Sequence, residues 1–212
     1  MASFRHDKRR ETLLLVLLIF LFQAAAPAFA KISPVIKLGA GRTELFGRDT
    51  YRQGWKNVWS GGMTGQSKLW KNFYLEAGLM YLPGGSVFRL EDEETGYRET
   101  VSLAYVQFPV LIKFYIRPQS HLSFYLTAGP AVAFNIKARL TVLSAGAEYS
   151  VELGSHKKED FSLNLAAGAE YRMAAGIWLI ELVFGQGLNS ISRETQEDIR
   201  NRRIILLLGF RL

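Results

Sequence analysis

Asp160–Leu188 reads DFSLNLAAGAEYRMAAGIWLIELVFGQGL, two alternating strands joined by a very short turn. Phe161, Leu163, Leu165, Ala167, Ala169, Tyr171 and Met173 fall on one face. Ser162, Asn164, Ala166, Gly168, Glu170 and Arg172 fall on the other. A period of two is the signature of extended chain, and this run is far longer than the five or six residues of an ordinary globular strand. After Ala174-Ala175-Gly176 the alternation resumes, with Trp178, Ile180, Leu182 and Phe184 on the apolar face and Glu181 opposite. The apolar face is continuous over both strands and free of charge. In a soluble barrel that face would be core; in a transmembrane barrel it meets lipid while the polar face fills the lumen.

The rest of the chain repeats the pattern. Extended segments are expected at about 33–44, 58–69, 73–90, 101–117 and 121–143, then in the opening pair, and finally where Ile204, Leu206, Leu208, Phe210 and Leu212 face Arg203, Gly209 and Arg211. Pro83-Gly84-Gly85 marks a bulge or bend within the third strand. Alternation continues through Tyr149 to Leu153, so the fifth strand leads into a hairpin of its own. Lys71-Asn72, Pro118-Gln119-Ser120 and Ala174-Ala175-Gly176 are short connections; those between them, FGRDTYRQGWKN, EDEETGYRE, Leu140–Glu159 and SISRETQEDIRNRR, are long and polar. Short turns on one side and long loops on the other describe an up-and-down barrel of the outer membrane. Trp70, Phe73, Phe114, Phe124, Tyr171, Trp178 and Phe210 gather on the apolar face near the short turns, where an interfacial aromatic girdle belongs. The expected fold is therefore all-β, an eight-stranded antiparallel transmembrane β-barrel.

Residues 1–30 read as a cleaved signal peptide: Arg5, Lys8, Arg9 and Arg10, the apolar run Leu13 to Phe22, and Ala28-Phe29-Ala30 as cleavage site. Residues 31–212 then form the barrel domain, exported to the bacterial outer membrane. The chain has no cysteine, which removes disulfides and thiolate metal sites. Its net charge of +7 is dispersed, without the basic stripe that tracks phosphates, so nucleic acid is not an expected partner.

YVQFPVLIKFYI (Tyr105–Ile116), LSFYLTAGPAVAF (Leu122–Phe134), DFSLNLAAGAEY and GIWLIELVFGQGLNSIS together resemble the outer-membrane β-barrel family that includes the PorT-like proteins of Bacteroidetes and relatives. The likeness covers about Val58 to Leu212. It implies membership of a small-barrel family in which PorT-like proteins are associated with secretion and gliding machinery. One departure is the C-terminus, Phe210-Arg211-Leu212, where an assembly signal of such barrels usually ends in an aromatic residue.

Eight strands enclose a lumen that side chains can fill. Inward parity collects Lys68, Glu76, Lys113, Glu170, Arg172, Glu181 and Arg211 near the short-turn end, as a paired ionic plug; the alternative is a narrow anion-preferring passage, from four basic residues against three acidic ones. His121 and Ser123 share a strand face, a pattern found in outer-membrane lipid hydrolases, but they sit at a strand start beside Pro118 and no enzyme is expected. His156 and the Glu91–Glu94 run read as solvated loop, so neither metal nor cofactor is expected. The expected function is a structural or binding module that presents Gly47–Asn57, Glu91–Glu99, Leu140–Glu159 and Ser190–Arg202 outside the cell. Outer-membrane lipid is the surrounding partner, and envelope or secretion proteins fit the family likeness. A small channel and a lipid-modifying enzyme are the other readings.

Overall fold

The computed structural model describes residues 32–48, 50, 53–89, 97–118, 120–144, 147–153, 158–192 and 198–212. The segment read as a signal peptide, the Glu91–Glu94 run and His156 lie outside these. Ten strands form one antiparallel sheet: β1 (Ser33–Phe46), β2 (Gln53–Gly54), β3 (Lys56–Trp70), β4 (Phe73–Arg89), β5 (Arg98–Tyr115), β6 (Leu122–Ser144), β7 (Ala147–Glu152), β8 (Glu159–Met173), β9 (Gly176–Gly187) and β10 (Arg200–Arg211). The ring runs β1-β3-β4-β5-β6-β8-β9-β10 and closes where β10 pairs with β1, from Val35↔Arg211 to Phe46↔Arg200. These eight strands make a closed barrel. Closure pairs each ring strand with a neighbour on both sides, save for the upper β3–β4 stretch described below, as a sheet in hydrocarbon requires.

The alternation read from the sequence sets the two faces. Ile36, Leu38, Leu79, Val110, Ile112, Leu126, Leu165, Ile180, Leu182, Leu206 and Leu208 are exposed on the outer wall. Inside, one half of the lumen is polar and the other apolar, where Leu45, Met80, Leu82, Leu103, Tyr105, Ile205 and Leu207 cluster around Ile191. Ile191 comes from the β9–β10 connection and is held by its N–H on the Ile199 carbonyl at 2.8 Å, so this loop folds back as a stopper.

Two strands lie off the ring. β7 pairs with the upper part of β6, from Arg139↔Glu152 to Ser144↔Ala147, as the hairpin expected there. The two-residue β2 falls inside FGRDTYRQGWKN, which reads as loop; it docks on β4 at Gln53↔Phe88. The anticipated bulge at Pro83-Gly84-Gly85 takes another form: pairing of β4 with β5 continues in register through these residues, while β4 parts from β3 above Gly61↔Tyr81. Proline has no N–H for a ladder bond, so one side of this stretch is released. Register shifts lie elsewhere, between Lys68↔Tyr74 and Trp70↔Phe73 beside the first short turn, and at Ile136, between Ala104↔Lys137 and Tyr105↔Asn135.

Candidate functional site

The polar half of the lumen is built by one inward residue from each of several strands. β1 contributes Lys37, β4 Glu76, β5 Lys113 and Tyr115, β6 Tyr125, β8 Glu170, β9 Glu181 and β10 Arg211. They form a line of alternating charge. Glu181 Oε1 accepts from Lys37 Nζ at 3.1 Å, and Lys37 Nζ lies 2.5 Å from Glu76 Oε1. Glu76 Oε2 lies 2.9 Å from Lys113 Nζ, which is 3.4 Å from Glu170 Oε1, and Glu170 Oε2 accepts from Arg211 Nη2 at 2.7 Å. Glu76 and Lys113 are fully buried.

Hydrogen bonds satisfy what the ion pairs leave over. Tyr115 donates its hydroxyl to Glu170 Oε1 at 2.5 Å and accepts from Arg211 Nη1 at 3.1 Å. Gln66 accepts from Lys113 at 3.2 Å through Oε1. Tyr125 donates to Glu181 Oε2 at 2.9 Å, and the Lys113 ammonium stands 4.0 Å from the centre of its ring, within cation–π range. Register explains the Tyr125 bond: Tyr125, Gly168 and Glu181 are consecutive partners across β6, β8 and β9, and the ring crosses the glycine to reach the carboxylate. A Cβ at Gly168 would stand 2.4 Å from that ring. Arg203, Gly185 and Asn164 repeat the device, with Arg203 Nη2 donating to Asn164 Oδ1 at 2.8 Å over the bare backbone.

On the side of the network away from the short turns the free space is a cavity of about 40 Å³ lined by Lys37, Glu76, Glu181 and Arg203 among others, while Glu170, Arg211 and Tyr115 border an open mouth on the other side. The cavity is the size of a few water molecules. A second polar group lies toward the apolar half: Asn201 Nδ2 donates to Asp160 Oδ2 at 2.9 Å and to the Tyr105 hydroxyl at 3.1 Å.

Of the lumen residues expected from the sequence, Glu76, Lys113, Glu170, Glu181 and Arg211 meet in this network. Lys68 and Arg172 do not. Each shares the inward parity but stands within two or three residues of a short turn, at the open end of the barrel; both are exposed and line a mouth of about 600 Å³ with His121, Tyr74 and Ser33. Lys37 takes their place, so the network has three cations and three carboxylates rather than a basic excess. Sequence reasoning passed over Lys37, Gln66, Tyr115 and Tyr125. Tyr125 and Lys37 stood on the inward face in the sequence, but Lys37 is alone among Val35, Gly39 and Gly41, Gln66 lies in a strand of weak alternation, and a tyrosine carries no charge to mark it as part of an ionic cluster.

The aromatics expected as a girdle all stand on the outer wall beside the short turns. Trp70 and Phe73 stack with centroids 6.3 Å apart, Phe73 meets Phe114 at 5.0 Å, and Trp178 meets Phe210 at 5.1 Å. Phe124 and Tyr171 are exposed at the same level. Ser123 Oγ donates to the Arg117 carbonyl at 2.8 Å, tying down its own turn, while His121 lines the mouth.

Residues 32–193 match the family described as outer membrane protein beta-barrel domain. The chain belongs to that family. It is a protein of the bacterial outer membrane. Similar solved structures include Ail, the attachment invasion locus protein of Yersinia pestis, at 11% identity over 86% of this chain and 99% of that one, with a TM-score of 0.44. Neisserial surface protein A is 10% identical over 84% and 97%, with a TM-score of 0.45. The N-terminal barrel of Pseudomonas aeruginosa OprF is 11% identical over 86% and 100%, with a TM-score of 0.38. No curated protein matches the sequence significantly.

In an outer-membrane barrel the short turns face the periplasm. On that orientation the ionic network and the outer-wall aromatics of this outer membrane barrel both lie toward the periplasmic end. Glu181→Gln removes one of two carboxylates from Lys37 and the acceptor charge from Tyr125. It is expected to destabilise the folded barrel by about 1.5–3 kcal/mol, read as an earlier loss of the heat-modifiable gel mobility in detergent.

Proposed function

We propose that this outer-membrane barrel is a non-conducting, non-enzymatic anchor that presents its extracellular connections to protein partners of the envelope. The PorT-like resemblance makes an accessory of secretion machinery the reading for those partners. The observation that supports this is the charge-balanced line from Glu181 to Arg211, which crosses the lumen between the open mouth at the short-turn end and an inner cavity of only about 40 Å³. A site for solutes needs a passage, and a hydrolase needs a free nucleophile; Ser123 Oγ is spent on a turn carbonyl. The β6–β7 hairpin, by contrast, is exposed over the whole of β7, with Tyr149 and Val151 uncovered.

The test has two arms. In planar bilayers the purified protein is expected to give no conductance steps, and regular steps would establish the channel instead. In intact cells a photo-reactive group at Tyr149 is expected to cross-link an envelope protein, and the adduct is expected to vanish when residues 141–152 are replaced by a short turn. A folded barrel that cross-links nothing at Tyr149 speaks against the module.

A further inference from the structure

The wall between β3 and β4 contains a window. The two strands are paired from the short turn up to Gly61↔Tyr81, and higher up β2 regains β4 at Gly54↔Val87. Between these points Lys56–Ser60 pair only with β1, and Leu82–Ser86 only with β5. Pro83 stands in the gap and Gly85 takes a φ of 107°, a conformation that side chains disfavour. Lys56 reaches across to β5, where its Nζ donates to Ser102 Oγ at 2.7 Å. The window does not open into the lumen, because Leu103 and Tyr105 stand behind it, 2% and 3% exposed.

What results is an outward groove of about 390 Å³ whose lining includes Lys56, Trp59, Tyr81, Lys137 and Arg139. The shift at Ile136 sets the phase of β6 so that Lys137 lies opposite outward Ala104 and Arg139 opposite Ser102. Trp59 and Tyr81 form the apolar side, with ring centroids 4.9 Å apart, and Trp59 is 60% exposed. Register places one carboxylate, Glu152, opposite Arg139, and among the described residues no ion pair joins them.

Height identifies the occupant. Along β5, ten residues separate Phe114 in the periplasmic girdle from Ala104 beside the groove. At about 3.3 Å per residue on a strand tilted by about 40°, that is roughly 25 Å, the height of the apolar band of such barrels. The groove therefore opens at the outer interface, level with the headgroups of the outer leaflet. Below it the wall is apolar through Leu79, Val106 and Phe108. Cations at headgroup level above an apolar wall, with a tryptophan between, match a lipid that carries phosphate and acyl chains. Arginine is suited to phosphate by its planar fork of donors, and Lys56 keeps a donor beyond its bonds to β5.

We infer that the β3–β4 window is a specific site for a phosphorylated lipid of the outer leaflet, with phosphate on Lys137, Arg139 and Lys56 and acyl chain against Trp59 and Tyr81. The membrane-extracted, delipidated protein in zwitterionic detergent tests this by native mass spectrometry with three probes: diphosphorylated lipid A, its dephosphorylated form, and inorganic phosphate. The wild type is expected to retain the diphosphorylated lipid about tenfold better than the dephosphorylated one. K137E/R139E is expected to lose that preference while keeping the gel mobility of the folded barrel; if the double reversal does not fold, K137Q/R139Q is read in its place. Equal retention of the two lipids, an undiminished preference in the variants, or displacement of the lipid by inorganic phosphate at equal concentration would each overturn the site.

Discussion

Glu76→Gln is expected to lower the stability of the folded barrel by about 3–5 kcal/mol, measured as the shift in the urea midpoint of the detergent-folded protein. Glu76 is the centre of the ionic line, with Lys37 Nζ at 2.5 Å on one oxygen and Lys113 Nζ at 2.9 Å on the other. The amide keeps the volume but removes the central anion. Two cations, 3% and 0% exposed, then face each other across a neutral group, cut off from bulk water by burial. An intact buried pair contributes little by itself, since desolvation offsets its attraction; breaking one is costly because a charge is stranded. That asymmetry supplies the control. Lys37→Met with Glu181→Leu removes a terminal cation and anion together, leaves Glu76, Lys113, Glu170 and Arg211 balanced, and is expected to cost much less than Glu76→Gln. A Glu76→Gln barrel that unfolds at the wild-type urea concentration would sink the account of the network.

Gly168→Val is expected to be nearly as damaging, although valine is the better strand residue. The new side chain enters the space of the Tyr125 ring, whose hydroxyl carbon lies 2.4 Å from the Cβ position, with the Ile180 carbonyl at 2.6 Å on the other side. Tyr125 is 1% exposed and has no free volume to retreat into. Overpacking costs about 1–3 kcal/mol, and displacing Tyr125 from Glu181 forfeits a hydrogen bond to a charged group worth about 1.5–3 kcal/mol. Tyr125→Phe separates the two, since it loses the bond and keeps the packing. Gly168→Val in the Tyr125→Phe background should still be destabilised by the clash, and stability equal to that of Tyr125→Phe alone would remove the steric argument.

The barrel was legible because its signals are local. Period two along 160–188 assigns wall and lumen residue by residue, and the contrast between Lys71-Asn72 and SISRETQEDIRNRR assigns the two ends of the molecule. The girdle followed from parity and distance to a turn. The network was legible only in part because membership is a matter of register among strands far apart in the chain: Lys37 meets Glu181 across 144 positions, which no pattern within β1 announces. Parity alone also failed to separate Arg172, which faces the open mouth, from Glu170 two residues earlier, which is 3% exposed. The stopper at Ile191 escaped for a related reason. Ile191 and Ile199 in SISRETQEDIRNRR carry no periodicity, and only the packing of the apolar half reveals where they go.

The origin of the six network charges has a consequence for biogenesis. Lys37 belongs to the first strand and Arg211 to the last, and the members between them come from four more strands. Not every hairpin of consecutive strands carries a neutral share: β4 with β5 joins Glu76 to Lys113, but β8 with β9 brings Glu170 and Glu181 together without a network cation. Without either end of the polypeptide the network therefore holds one carboxylate too many. Neutrality and ring closure are reached in the same step, when β1 meets β10.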